Sequence, residues 1–491
     1  MTKTNFKDYK LSDEILKSLD MLNYKNPTPV QEKVIPVALE NRDILVKSQT
    51  GSGKTATFAI PLCEMVDWEE NKPQALILTP TRELAIQVKE DVFNVGRFKR
   101  IKVAALYGKS SFSHQEKELK QKTHIVVGTP GRTIDHIKEG TFVTDKVKYL
   151  IIDEADEMLS LGFVEQIEEI MKGLPNERVT MLFSATLPED IDALAKKYMK
   201  NPTKIEIEAK TLTVDRIEQV CYRVEEKNKL NLLRDVTIVE NPDSCVIFCN
   251  TQAKVEALYA ELSKRQYPCD KIHGGMEQDD RIRVMNNFKK GCFRYLIATD
   301  VAARGIDIDN ISLVVNYDVP VLRENYVHRI GRTGRAGKSG KAVTFVMSTD
   351  ERRISEINSY TGKELEFSKK PRRSVVIELT PAFQSKLGEK VEIKETKGAA
   401  LSEEILKLHI NAGKKTKMRA VDVVGTLCSI EGMTKDDIGV ISIHDVSTFV
   451  EILNNKGNMV LKALQTKNIK GRPRSVTVVD EERLQQGRPR R

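Results

Sequence analysis

Ser48-Gln49-Thr50-Gly51-Ser52-Gly53-Lys54-Thr55 is the stretch on which the reading of this 491-residue chain turns. It meets the phosphate-loop pattern G-x-x-x-x-G-K-[ST] at every fixed position but the first, where Ser48 stands. The apolar run Ile44-Leu45-Val46 before it reads as a buried strand and Ala56 to Val66 after it as a helix. That strand–loop–helix setting is what the motif requires. Glycines let backbone N–H groups point inward at phosphate oxygens, and the helix N-terminus adds a positive dipole end. Lys54 would then hold the β- and γ-phosphates, and the Thr55 hydroxyl would hold Mg²⁺. An ordinary Gly/Ser turn fits these eight residues alone. The rest of the chain has to decide.

The length suggests about three domains at roughly 150 residues each. Apolar residues make up 40% and charged residues 30%, which describes ordinary globular material. No run of about 18 apolar residues offers a membrane span. Met1-Thr2-Lys3-Thr4-Asn5 lacks the apolar core of a signal peptide, so a cytoplasmic location is expected. Seven scattered cysteines, from Cys63 to Cys428, make no disulfide framework. Cys245 and Cys249 flank a strand-like run with no second pair or nearby histidine to complete a metal site. The net charge is +9, and residues 371–491 alone hold 22 basic against 15 acidic residues. Such an excess fits a polyanion partner, although a solvated surface would carry it too.

From the loop to about residue 345, apolar runs alternate with helical patterns. Ala75 to Leu78, His124 to Val127, Tyr149 to Ile152 and Val179 to Phe183 come first. Cys245 to Phe248, Tyr295 to Ala298 and Leu313 to Val315 follow. Continuous apolar strands separated by helices predict parallel sheets covered on both faces. The polar stretch around Asn201 to Thr213 divides them into two α/β domains, and an ATP site is expected in the cleft between. Upstream, Gln31 can pair with the N6/N7 edge of adenine, and Tyr24 can stack on the ring; a Pro-rich turn with a Gln cap is the plainer alternative. Asp153-Glu154-Ala155-Asp156 follows a strand, where α/β ligand sites lie. One carboxylate there can reach Mg²⁺ and the next can polarise water. Ser184-Ala185-Thr186 follows another strand, and His328 to Arg335 sets several arginines among glycines, suited to a phosphoryl group or simply to a basic surface loop.

Taken together, these residues resemble the DEAD-box RNA helicase family over roughly residues 5–365. Pro80-Thr81-Arg82-Glu83-Leu84-Ala85, Thr129-Pro130-Gly131-Arg132, Gln278 with Arg281, and the run from Ala298 to Asp307 stand in family order. Phe6 also sits where the family has an isolated aromatic. The resemblance implies two RecA-like domains, at 1–207 and 208–365. It implies ATP and Mg²⁺ as cofactors, bound by Phe6, Tyr24, Gln31, Ser48, Gln49, Thr50, Gly51, Ser52, Gly53, Lys54, Thr55, Asp153 and Asp307. Asp153 would hold Mg²⁺ through water and Glu154 would activate the hydrolytic water. Arg332 and Arg335 would complete the site, with Asp300 nearby. Ser184, Thr186 and His328 would couple hydrolysis to RNA release. RNA would meet Arg82, Thr129, Gly131, Arg132, Gln278, Arg281 and Thr299 through its backbone. The chain departs from the family at Ser48 (usually Ala), at Asn23 (usually Gly) and at Lys109, where a second Gly is usual after Gly108.

Residues 366–401 read as a basic linker, with Lys369-Lys370-Pro371-Arg372-Arg373 and few aromatics. Residues 402–482 alternate β-α-β-β-α-β, the order of an RNA-recognition fold, and 483–491 form a basic tail. The central strands offer only His409 and Phe449, and a lone strand Phe reads more readily as core than as a stacking platform. The basic loop Lys414, Lys415, Lys417 and Arg419 is therefore the expected RNA contact, joined by Lys467, Lys470, Arg472 and Arg474. The whole is similar to the DbpA-type subfamily of bacterial DEAD-box helicases. That likeness implies tethering to a 23S rRNA hairpin in pre-50S particles and a role in large-subunit assembly; a monomer is expected. A general RNA remodeller in mRNA decay or cold response, and an ATP-dependent RNA clamp, are the rival readings.

Overall fold

A computed structural model describes residues 4–48, 52–207, 217–300, 311–334, 340–389 and 404–479. They fall into two bodies, one holding the N-terminal sheet and the C-terminal module, the other the middle of the chain.

The N-terminal sheet has seven strands: β1 Ile44–Lys47, β2 Ala75–Leu78, β3 Val103–Leu106, β4 Ile125–Gly128, β5 Tyr149–Ile152, β6 Val179–Ser184 and β7 Thr203–Glu206. Their order is β3-β4-β2-β5-β6-β1-β7, and the paired strands run parallel. Ile77, Val126, Ile151 and Leu182 are wholly buried because helices cover both faces. Each such side chain contributes about 1.5–3 kcal/mol by leaving water. Strands β5, β6 and β1 are neighbours, so the loops beginning at Asp153 and Ala185 and the one leading to Lys54 emerge side by side at the carboxyl edge.

The second body is built on β8 Ile217–Arg223, β9 Cys245–Phe248, β10 Cys269–Ile272, β11 Tyr295–Ala298, β12 Leu313–Asn316 and β13 Gly340–Val346. This sheet is also parallel, in the order β10-β11-β9-β12-β13-β8. The expected linker at 366–401 is corrected in its first part. Phe367 bridges to Cys221, and Arg373–Gly388 is a 16-residue helix. Val376 and Phe383 of that helix are buried in the domain core, with Leu379 and Leu387 packed beside them. Spacings of three and four residues make an apolar stripe that the flanking basic cluster obscures.

The third sheet is antiparallel: β14 Leu406–Ile410, β15 Ile438–Ile443, β16 Thr448–Ile452 and β17 Val476–Val478, ordered β15-β16-β14-β17. Helices Ala420–Cys428 and Gly457–Leu464 alternate with the strands in the expected β-α-β-β-α-β order. Leu408, Ile410, Val450 and Ile452 point to the helices and are buried. Phe449 is not core: it pairs with His409 on the opposite, helix-free face, half-buried, with ring centroids 5.1 Å apart. Strand alternation decides this, since Phe449 lies between the buried Thr448 and Val450.

Candidate functional site

Gly53 precedes the Lys54–Met65 helix with φ of +91°, a conformation that glycine reaches without the strain a Cβ brings. The Gln31 amide donates to the Gly53 carbonyl at 3.2 Å, while its own oxygen accepts from Thr28 N at 2.8 Å. Gln31 thus caps its helix and also holds the turn into Lys54. Tyr24 is half-buried, and Phe6 is buried edge-on to Tyr9. Lys54 is 7% exposed, and its ammonium has no hydrogen-bond partner among the described residues. A buried cation with no described hydrogen-bond partner, at a helix N-terminus, is a cradle for an anion. Thr55 follows it, half-buried; Ser52 donates to Ser48 at 3.4 Å. Gln49, Thr50 and Gly51 lie outside the described residues.

Asp153 leaves β5 buried at 3% exposure. Burial pushes its carboxyl up to about 7, against the opposing pull of Lys54, with the nearby Glu154 raising it further. A group that the fold leaves so uncomfortable fits a bound cation, which would relieve it. Glu154 takes a left-handed φ of 53° at the start of the Ala155–Ser160 helix. Asp156, which sequence reasoning did not place in the site, accepts from Ala185 N at 3.2 Å, Thr186 N at 2.9 Å and Thr186 Oγ1 at 3.0 Å. One carboxylate therefore ties the Asp-Glu turn to Ser184-Ala185-Thr186. Ser184 Oγ is buried without a hydrogen-bond partner among the described residues.

Four of the sequence-predicted RNA residues cluster around the loops after β3 and β4. Arg132 donates to Ser110 O and Gln115 Oε1, both at 3.0 Å. Gln115 in turn donates to Tyr107 O at 3.0 Å. The Arg82 guanidinium lies 3.5 Å from where a Gly108 Cβ would stand. Thr129 caps the Pro130–Lys138 helix, and Gly131 is exposed in its first turn. Asn23 and Lys109, the two replacements for family glycines, have φ of 60° and 54°. Both sites demand the left-handed region; Asn tolerates it better than Lys.

In the second body, Gln278, Arg281 and Thr299 are buried at 5–8% exposure. Asp300 accepts from Arg329 Nη2 at 2.8 Å and from Asn325 Nδ2 at 3.3 Å. Arg329, 1% exposed, also donates to Asn250 Oδ1 at 2.9 Å and Asp318 O at 2.7 Å. Its role as an organising strut went unnoticed among the surrounding arginines; its place one residue after His328, on the buried side of a helix, was the available signal. His328 and Arg332 are half-buried neighbours, with Arg332 Nε donating to His328 O at 3.3 Å. Arg335 and Asp307 lie outside the described residues.

Lys414, Lys415, Lys417 and Arg419 are exposed in one loop. The loop is held by Lys414 N to His444 O and Lys415 N to Asp445 O, both 2.8 Å. A Cβ on Gly413 would fall 2.2 Å from His444 O, so only glycine lets the loop approach this closely. Lys470 bonds Asp422 at 2.9 Å, and Lys467 donates to Ser429 O at 2.6 Å, so these two are partly engaged in holding the module together.

Among known proteins, residues 28–194 match the DEAD/DEAH box helicase family and 228–337 the helicase conserved C-terminal domain. Residues 407–478 match the DbpA RNA binding domain. The chain is 57% identical over 469 residues to the ATP-dependent RNA helicase DbpA of Bacillus subtilis, covering 96% of this chain and 98% of that one. It is 42% identical to the DEAD-box ATP-dependent RNA helicase CshA of Geobacillus kaustophilus over 75% of this chain and 79% of that one. Among solved structures it resembles S. cerevisiae Dbp5 bound to RNA and ADP BeF3. That likeness has a TM-score of 0.69 and 32% identity, over 78% of this chain and 99% of the other. Among the described residues, no helix is long and apolar enough to cross a membrane.

Proposed function

Because the chain belongs to the DEAD-box ATP-dependent RNA helicases of the DbpA type, we propose that it couples ATP hydrolysis to local opening of short duplexes in 23S rRNA. It does so during assembly of the large ribosomal subunit, in the cytoplasm and as a monomer. The buried, partnerless Lys54 ammonium beside the strained Asp153 carboxyl carries this reading.

Lys54 neutralises the β- and γ-phosphates of ATP, and Gln31 with Tyr24 selects adenine. Thr55 and Asp153 would hold Mg²⁺, which would supply Lewis-acid charge neutralisation. Glu154, turned out of the strand by its left-handed backbone, orients and deprotonates the attacking water. Arg332 and Arg335 meet the charge that develops on the transferring phosphoryl. Asp156 transmits the state of that site to Ser184 and Thr186, and His328 reports it in the second domain. Arg82, Thr129, Gly131, Arg132, Gln278, Arg281 and Thr299 grip the RNA backbone without reading bases. ATP and RNA then favour each other's binding. The Lys414–Arg419 loop tethers the enzyme to its rRNA hairpin.

ATP hydrolysis at fixed salt tests this with three stimulants: a 23S rRNA hairpin fragment, an unrelated structured RNA, and single-stranded DNA. The fragment should stimulate most, and replacing Lys414, Lys415 and Lys417 by Ser should remove its advantage. Glu154→Gln should end turnover while leaving ATP and RNA bound. Equal stimulation by both RNAs, unchanged by the loop replacements, would remove the ribosomal target.

A further inference from the structure

The helix-free face of the C-terminal sheet carries an acidic residue in its middle. Glu451 stands two residues along β16 from Phe449, on the same face, and is only 3% exposed. What covers it is the first helicase domain. Arg97, 8% exposed, donates through Nη2 to Glu451 Oε1 at 2.9 Å and through Nε to Oε2 at 3.4 Å.

The contact extends along the edge strand β15. Arg100 donates to Ile438 O at 2.8 Å and to Lys435 O at 2.6 Å, and Lys102 donates to Ile441 O. Lys17 donates to Asn454 Oδ1 at 2.6 Å. Phe98 packs with Ile405 and Leu453, with Met21 and Leu22 behind them. Cations from one domain thus meet the carbonyls and carboxylate of another around a small apolar centre, the anatomy of a specific interface. Edge-strand carbonyls that would otherwise face water are also satisfied.

We propose that this face is a docking surface for the first helicase domain, latched by Arg97 and Glu451, and not a platform for RNA. Two sequence features agree with that assignment. The face is poor in stacking aromatics, and Glu451 would repel a phosphate backbone. The basic loop lies at the rim of the contact, where Lys117 of the first domain meets Asp445 at 4.0 Å, and its Lys414, Lys415, Lys417 and Arg419 stay exposed. RNA held by that loop is therefore carried at a fixed offset from the first helicase domain.

Donor and acceptor dyes on the exposed Glu139 and Val421, placed through cysteines in the full chain, measure the docking directly. The parent chain should give one narrow, high-transfer population. Arg97→Glu should broaden and lower it, and Arg97→Glu with Glu451→Arg should restore it. Arg100→Ala, which removes an independent contact, should lower it as well. A broad distribution in the parent, or an unchanged one in Arg97→Glu, overturns the latch. Affinity of Arg97→Glu for the 23S hairpin fragment should stay within about twofold of the parent, as expected for a charge outside the RNA contact. A larger loss would make the face part of the RNA site and overturn the assignment.

Discussion

Two buried lysines divide the labour of this molecule. Lys54 in the first helicase domain is 7% exposed, with no hydrogen-bond partner for its ammonium among the described residues. Lys229 in the second is fully buried, yet bonds Asp318 at 2.8 Å and Glu226 at 3.0 Å. Asp318 also receives Lys254 at 2.8 Å and Asn250 N at 3.1 Å. Burial alone would raise the Asp318 carboxyl, but those bonds outweigh it and hold it below the usual carboxylate range. One domain keeps a charge open for a ligand, and the other consumes its charges internally. A buried cation with nothing to hold marks a site, whereas one with a carboxylate marks architecture.

Exchanging each lysine for methionine should break the comparison in opposite directions. Lys54→Met should lower RNA-stimulated ATPase by at least ~10²-fold, the scale of losing a preorganised charge from a transition state. Its melting temperature should hold or rise, because an unpaired charge has left the interior. Lys229→Met takes the buried cation from Asp318, leaving it Lys254 and Asn250 N, and should destabilise the second domain by about 2–4 kcal/mol, read by calorimetry as an earlier transition. If Lys54→Met unfolds early while keeping its ATPase, the division is wrong.

Acid should sharpen the contrast by striking the first domain. Burial pushes the His124 imidazole down to about 4; Nδ1 accepts from Lys102 N at 2.9 Å, and Nε2 faces Trp68 O at 3.1 Å. Its folded pKa lies below the unfolded value of about 6.5. The stability it contributes is therefore complete above pH 6.5 and is lost as pH falls towards 4. Between pH 7 and 5 that loss should be about 2 kcal/mol; burial pushes His136 in the same domain down to about 4 as well, so His124→Gln should remove about half of the shift in urea midpoint.

The smallest effect separates two backbone sites. Lys109→Gly should stabilise by at most ~1 kcal/mol, relieving a left-handed lysine, while Asn23→Gly should change the melting temperature little. Equal responses would show that side-chain contacts, and not backbone strain, govern both positions.

Much of this was legible in residue types. The strand runs, the lone lysine after Gly53 and the acidic turn at Asp153 follow from period and chemistry, and so does the C-terminal β-α-β-β-α-β order. Other features required three dimensions. The Arg373–Gly388 helix hid behind a basic cluster although its apolar spacing was present. Whether Phe449 is core or faces outward stays open in the sequence, because a single aromatic carries no facing information until its strand neighbours are phased. Asp156 and Arg329 matter through partners more than 25 residues distant, which no local pattern displays. The backbone angles at Asn23 and Lys109 explain why glycine is usual at those positions.

Asp156 constrains how this sequence can drift. Its carboxylate accepts from four donors, Glu157 N as well as Ala185 N, Thr186 N and Thr186 Oγ1, so the position tolerates only groups that accept. Asparagine would set an N–H₂ against an amide or a hydroxyl, and glutamate would push the two loops apart by a methylene. Neither Ala185 nor Thr186 can adapt alone, because three of the four donors are backbone amides that every replacement retains. The turn and the loop are therefore inherited as one mechanical part, and a change in either must be answered in the other.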